Sequence, residues 1–234
     1  MNVAGFRETR MGRDLLRYDA DVDSTNESHV NTTARAYDAI ASEYVTLVGD
    51  GLASLPLDRS IVSAFADLVL RDGTGPVGDL GCGPGYVSAY LHGLGVKVFG
   101  VDASPEFVGH ARRIYPDLQF SVGSMTTLDN ADGTLGGIVA WYSIIHAPPV
   151  EIPKYFAEFH RVLAPGGHLL LGFFESEEGP LVPFDHKVAT AYRWPIDHLA
   201  EVAGAAGFQE VGRMLRQPLE NERFRRGHLI LRKA

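Results

Sequence analysis

The segment Asp79-Leu80-Gly81-Cys82-Gly83-Pro84-Gly85 places one carboxylate beside three alternating glycines. Glycines permit a tight turn and, lacking a Cβ, let a ligand lie against bare backbone. A nicotinamide or flavin fingerprint reads G-x-G-x-x-G. Counting from Gly81 puts Tyr86 at the third glycine, and counting from Gly83 puts Ser88 there. Neither register suits a dinucleotide. Asp102 closes the apolar run Val98-Phe99-Gly100-Val101 about 23 residues after Asp79, and one carboxylate can accept two O–H donors. Further on, His146 follows Trp141-Tyr142-Ser143-Ile144-Ile145 and precedes Pro148-Pro149, which fix the path of the loop. An imidazole with an ordinary pKa of about 6.5 can remove a proton from a hydroxyl; the alternative is a histidine that only hydrogen-bonds loop backbone. His186 is a second candidate, His160 and His168 read as structural or exposed, and Cys82 reads as a small packed side chain.

Positioning these groups requires a parallel sheet. From Val77 onward short apolar runs alternate with amphipathic segments, the signature of repeated βαβ units. The pattern predicts strands at Val77–Leu80, Lys97–Val101, Gln119–Val122, Gly137–Trp141 and His168–Phe174. Helices fall at Tyr86–Leu94, Pro105–Tyr115 and Pro153–Leu163, the last closed by Ala164-Pro165-Gly166-Gly167. A helix at Ile196–Ala206 and a pair of strands at Phe208–Leu215 and His228–Arg232 end the chain. Upstream, a helix from Thr32 or Thr33 carries Ala36, Tyr37, Ile40, Ala41, Tyr44 and Leu47 at helical spacing and stops at Gly49 and Gly51. A second helix covers Leu57–Arg71 before the breaker Asp72-Gly73-Thr74-Gly75-Pro76. The expected fold is α/β: a doubly wound, mostly parallel seven-stranded sheet with helices on both faces and an antiparallel C-terminal hairpin. Residues 1–30 form a flexible arm and 31–234 a single domain, with a lid-like insertion at about 175–194 that is long enough to be functional or mobile.

The spacing D-x-G-x-G-x-G, with Asp102 ending the next strand, resembles motif I of class I S-adenosylmethionine-dependent methyltransferases of the small-molecule type. The resemblance covers most of Val77 to Phe174 and implies that the turn at Gly81 and Gly83 takes the methionine and ribose parts, while Asp102 takes both ribose hydroxyls beside Ala103. Asp79 either reaches the methionine amino group through water or only holds the turn. Ser121-Val122-Gly123-Ser124-Met125 is similar to the family's third-strand end, which meets the adenine. Ser124 stands where a carboxylate is usual, and its hydroxyl can still accept one hydrogen bond; Met125 can pack on the adenine face. Phe159–Leu169 is similar to the structural segment before the fifth strand, and Tyr37–Tyr44 to an N-terminal helix that covers the cofactor, with Tyr37 at its methionine end and Tyr44 more readily a packing residue. Trp141 completes the expected cofactor set, and Tyr142, His146 and His186 the acceptor set, with His146 as general base. The sequence has neither an Asn or Asp followed by Pro-Pro-aromatic after the fourth strand, the mark of base-directed amino methylation, nor the acidic cluster of magnesium-dependent catechol methylation.

The acceptor is accordingly a small molecule methylated without metal on a hydroxyl, amine or carbon. Two alternatives are a cofactor-binding module that performs no transfer and a nicotinamide oxidoreductase. A net charge of -8, from 29 acidic and 21 basic side chains, repels nucleic-acid phosphates and anionic membranes. Arg223, Arg225 and Arg226, beside Glu220 and Glu222, read as a solvated face. One cysteine excludes an internal disulfide and fits a reducing cytoplasm. No apolar leader or 18-residue apolar run predicts export or a membrane span.

Overall fold

The protein is described by a computed structural model over residues 28–48, 51–176 and 181–234. Most of the expected arm, Gly49, Gly179 and Pro180 lie outside the described residues. The first helix starts earlier than its hydroxyls suggested. Helix α1 spans His29–Ala39 because Ser28, not Thr32 or Thr33, caps it, its Oγ accepting from the Val30 N–H at 3.3 Å. The helix then breaks at Ile40 and resumes as α2 (Ala41–Val48). In a straight helix Tyr37 and Tyr44 would stand about 10 Å apart along the axis; after the break their rings meet edge to face at 5.3 Å, and both rest on Phe107.

Helix α3 (Pro56–Asp72) opens on proline and closes on Gly73 in the left-handed region. The alternating elements follow: β1 (Val77–Leu80), α4 (Tyr86–Gly93), β2 (Val98–Asp102), α5 (Pro105–Ile114), β3 (Gln119–Val122), β4 (Leu135–Trp141), α6 (Ile152–Val162) and β5 (Leu163–Phe174). The sequence Ala164-Pro165-Gly166-Gly167, expected as a turn closing the helix, belongs to β5, because Leu163 already pairs with Leu135 ahead of a register shift. Strands β6 (Val182–Asp185) and β7 (Thr190–Arg193) pair as a separate hairpin within the stretch expected as a loop. Helix α7 (Ile196–Ala205) and strands β8 (Phe208–Arg216) and β9 (Arg226–Lys233) end the chain.

The seven-stranded sheet runs β3-β2-β1-β4-β5-β9-β8, with β9 antiparallel to both neighbours and the remaining pairs parallel. Chain order reverses between β1 and β4, so the connections leaving these strands diverge and open a crevice at their carboxyl ends. Two apolar layers hold the sheet. Phe156, Phe159 and Leu199 pack one face, and Phe65, Val69, Val87 and Leu91 the other; a buried side chain of this size contributes about 1.5 to 3 kcal/mol. Among the described residues no helix is long and apolar enough to cross a membrane.

The arginines near the C-terminus correct the expectation of a solvated face. Arg223 is exposed, but Arg226 lies over the Phe174 ring at 4.3 Å and the Tyr142 ring at 5.2 Å and pairs with Glu222 at 3.2 Å. Arg225 approaches the buried Glu175 at 3.7 Å. The aromatic rings that this connection covers were too far away in sequence to be foreseen as its partners. Next to it, Arg216 joins Asp58 at 2.6 Å and Glu222 at 2.6 Å, and His228, fully buried, completes the group. Burial alone would raise the Asp58 carboxyl, but His228 and Arg216 hold it below its ordinary value. Removing one partner of such a group leaves the others buried and uncompensated. Asp58→Ala is therefore expected to lower the unfolding free energy by about 3 to 5 kcal/mol; a urea midpoint unchanged from that of the parent protein would contradict it.

Candidate active site

The crevice is a cleft of about 940 Å3, counting space open to solvent. The turn after β1 forms one wall, and its three glycines are needed for different reasons. Gly81 has φ 71°, and a Cβ there would stand 2.3 Å from the Ser143 Cβ. A Cβ on Gly85, φ 89°, would meet the Phe120 ring at 2.9 Å. Gly83, φ 52°, lines the cleft and would meet nothing within 4 Å; its backbone is bare toward a ligand.

Asp102, at the end of β2, ties this turn to the next loop. Its Oδ2 accepts from the Gly83 N–H at 2.7 Å and its Oδ1 from the Ser104 N–H at 2.8 Å. Each oxygen keeps a lone pair, so the carboxylate fits a vicinal diol facing it across the cleft. Burial raises its pKa, against these two N–H bonds. Asp79 is buried beneath. Ser88 donates to its Oδ2 at 2.7 Å, while Oδ1 has no hydrogen-bond partner. Desolvation pushes its pKa up to about 7, against the Ser88 hydroxyl and with a further push from the Asp102 charge. A buried carboxylate oxygen without a partner is costly unless a ligand supplies a donor, and an ammonium group is such a donor.

Ser124 and Met125 line the cleft near β3. The Ser124 hydroxyl is already engaged with Thr126, Oγ to Oγ1 at 2.9 Å. Ala103 and Trp141 also line it, the latter stacked on His228 at 4.9 Å. Tyr142 has φ 52°, uncommon for a bulky residue. Its N–H pairs with the Gly172 carbonyl at 2.9 Å and its hydroxyl meets His228 Nε2 at 3.1 Å, leaving the side chain in the cleft wall.

On the opposite wall His146 is buried, with Nδ1 at 2.9 Å from the Thr190 carbonyl and Nε2 at 2.8 Å from the Tyr37 hydroxyl. A carbonyl only accepts, so Nδ1 carries the proton and the Nε2 lone pair takes the Tyr37 O–H. Burial lowers the imidazole pKa, outweighing the Thr190 bond, and burial likewise raises the Tyr37 phenol. The structure thus brings Tyr37, Asp79, Gly81, Gly83, Asp102, Ala103, Ser124, Met125, Trp141, Tyr142 and His146 into one cleft. His186 is not among the described lining residues; it stands edge-on to His146 at 5.3 Å, on the connection between β6 and β7. There burial first and the neighbouring charges next lower its pKa to about 4. His168 is buried against Asp72 at 2.8 Å, and His160 packs on Phe208. His29, Thr33, Phe107, Ser143 and Tyr155 also line the cleft. His29 and Tyr155 meet each other, and Phe107 meets Tyr37, across remote segments, so no local motif marked these three. Among the described residues there is no cluster of histidine, cysteine and acidic side chains able to hold a metal ion.

Residues 77–167 match the family described as a methyltransferase domain. A probable S-adenosylmethionine-dependent methyltransferase of Mycolicibacterium smegmatis is 28% identical over 56% of this chain and 51% of its own length. A demethylmenaquinone methyltransferase of Chlorobaculum tepidum is 29% identical over 61% and 62%. The chain spans about half the length of the first curated relatives it matches. Among solved structures, Burkholderia thailandensis 1,6-didemethyltoxoflavin-N1-methyltransferase, with 1,6-didemethyltoxoflavin and S-adenosylhomocysteine bound, superposes with a TM-score of 0.62 at 24% identity, over 91% of this chain and 93% of that one. At that identity the likeness is one of fold.

Two outcomes are expected of the cleft. Gly83→Ala should cost only the left-handed backbone penalty of about 1 to 2 kcal/mol yet weaken S-adenosylhomocysteine at least tenfold in calorimetry, whereas Gly81→Ala should also lose stability to the Ser143 clash. Equal effects of the two would show that Gly83 does not face the ligand. Asp79 is mostly protonated below pH 7 in the free protein, and an ammonium group at Oδ1 would pull its pKa down. Binding should then release a proton at pH 6 and tighten as pH rises toward 7, levelling above it. Titrations in buffers of different ionisation enthalpy measure this, and Asp79→Asn should abolish the release.

Proposed function

We propose that this chain is a class I S-adenosylmethionine-dependent methyltransferase and that it transfers a methyl group to a small organic acceptor seated between α1 and the segment after β4. The observation that carries the reading is His146: a neutral imidazole whose Nε2 lone pair is held at a tyrosine hydroxyl, in the same cleft as Asp102 and the bare glycine turn. S-adenosylmethionine, when bound, supplies an activated methyl carbon. The chain's own part is binding, alignment and removal of one proton.

Asp102 suits the two ribose hydroxyls, Gly81 and Gly83 leave room for the chain beside them, and Asp79 Oδ1 suits the amino group. Ala103, Ser124 and Met125 would flank the adenine, with Trp141 at the base of the cleft. Tyr37 covers this half from α1 and Tyr142 walls the acceptor half. Closing the cleft with aromatic rings excludes water that would compete with the acceptor.

For a hydroxyl acceptor, the Tyr37 oxygen can receive the departing proton while Tyr37 passes its own to His146 Nε2. The Thr190 carbonyl stabilises the imidazolium that results, because both ring nitrogens then donate. His186 supports the imidazole from behind. A relay of this kind contributes typically 10²- to 10⁴-fold. An amine that enters neutral, or an activated carbon, would depend on alignment more than on the base.

The test is release of S-adenosylhomocysteine from labelled cofactor with a panel of phenols, amines and activated carbon acids. Binding of cofactor without turnover on any of them would make the domain a cofactor-binding module. With a hydroxyl acceptor, His146→Ala should lower kcat by about 10²- to 10⁴-fold and leave S-adenosylhomocysteine affinity nearly unchanged. At saturating cofactor the rate should rise with pH below the ordinary imidazole value of about 6.5 and then stay level, since burial lowers this pKa and the base works as the neutral form. That limb should vanish in His146→Ala. Its persistence there would assign proton removal to another group.

A further inference from the structure

The acceptor end of the cleft contains a second imidazole built in the same way as His146. His29, at the start of α1, directs Nδ1 at the Glu151 carboxylate at 3.3 Å and Nε2 at the Tyr155 hydroxyl at 3.0 Å. A carboxylate only accepts, so Nδ1 carries the hydrogen; burial outweighs Glu151 and lowers the His29 pKa, which leaves Nε2 as an acceptor. The Tyr155 hydroxyl therefore commits its single proton to His29, as Tyr37 does to His146. A phenol whose proton is committed can only accept from a further partner. Both tyrosines and both histidines line the cleft.

On this basis, and resting on the methyl-transfer reading, we propose that His29, Tyr155 and Glu151 form a recognition subsite for a second hydrogen-bond donor on the acceptor, which is a neutral, flat molecule carrying an O–H or N–H at each of two ends. One donor meets Tyr37 beside His146, where transfer occurs. The other meets Tyr155. Tyr37 stands eight positions after His29 in α1, about 12 Å along the helix axis. A bicyclic aromatic with a donor at each end, together with two hydrogen bonds of about 2.8 Å, spans a length of that order. Between the two pairs the wall is Val30, Thr33, Ala34 and Ala147, small and mostly apolar, which suits the face of a ring. No lysine or arginine stands among the described lining residues; the cation acting on His29 is that of Lys154, outside the lining and close to Glu151 in the chain.

Dihydroxynaphthalenes test this without knowledge of the natural acceptor. Affinities for 2-naphthol and for the 1,5-, 1,6-, 2,6- and 2,7-diols are measured by tryptophan fluorescence with and without S-adenosylhomocysteine. The best diol should bind about five- to tenfold more tightly than 2-naphthol, the gain of one neutral hydrogen bond. Tyr155→Phe and, independently, His29→Gln should reduce that ratio to about one while 2-naphthol keeps its affinity. A flat ratio in the parent protein, an undiminished ratio in both variants, or an equal loss for 2-naphthol and diol would overturn the subsite; the last would make the cluster a latch for α1 only. S-adenosylhomocysteine binding is read separately in the same titrations. Its failure would overturn the methyl-transfer reading, and a flat diol ratio with that ligand bound would overturn the subsite alone.

Discussion

The carboxylate of Asp102 is the interaction on which the glycine-turn half of the cleft depends. It draws the Gly83 N–H of one βα turn and the Ser104 N–H of the next onto the same group, so two loops that a parallel sheet would let diverge are fixed at one spacing. Ser104 extends the connection. Its hydroxyl donates to Asp38 Oδ1 at 2.5 Å and caps α5 through the Phe107 N–H, and Asp38 belongs to α1. The acid proposed to read the ribose is thus one hydrogen-bonded residue away from the helix that covers the cleft. Like charge between Asp38 and Asp102 adds to burial in raising the Asp102 pKa, and the N–H bonds keep the arrangement from being an uncompensated repulsion.

The half of the cleft under α1 is assembled differently. None of α1 is fully buried, so the helix is held by directed polar contacts at its two ends and by the rings of Tyr37 and Tyr44 on Phe107. Few buried apolar contacts mean a low free energy of local opening, which suits the cover proposed for the cleft. His146 is better fixed. The hairpin of β6 and β7 supplies the Thr190 carbonyl that determines which ring nitrogen carries the proton, and a backbone carbonyl cannot titrate away. The base would therefore be set by an insertion outside the main sheet.

Behind both halves lies the ion group of Asp58, Arg216, Glu222, Arg226 and His228. It borders the cleft wall through Tyr142 and Trp141. Buried ion groups give little net stability against a well-packed apolar alternative, but this one holds a tyrosine in a left-handed backbone conformation beside the site. Strain of that kind persists only where the surroundings over-determine it.

The order of the seven-stranded sheet's elements, its mostly parallel pairing, the glycine turn and the place of Asp102 at a strand end were legible in the sequence because each rests on local pattern: strand length, glycine spacing, an acid at a strand end. The same locality explains the misses. Ser28 is as good a cap as Thr32 by residue type, and in the fold it is Ser28 that caps, with His29 next to it meeting Tyr155 and Glu151. Pro165-Gly166-Gly167 reads as a stop, yet the pairing of Leu163 with Leu135 extends the strand across it. Arg226 looks solvated until the fold lays it on aromatic rings more than fifty residues away in the chain. His146 could be named from its place after β4, but its proton-bearing nitrogen depends on Thr190, and the site of His186 on the hairpin. Sequence determined the residues that local backbone geometry requires; tertiary structure decided which side chains share a cleft and which atom of each faces it, because those depend on contacts between segments with no common local signal.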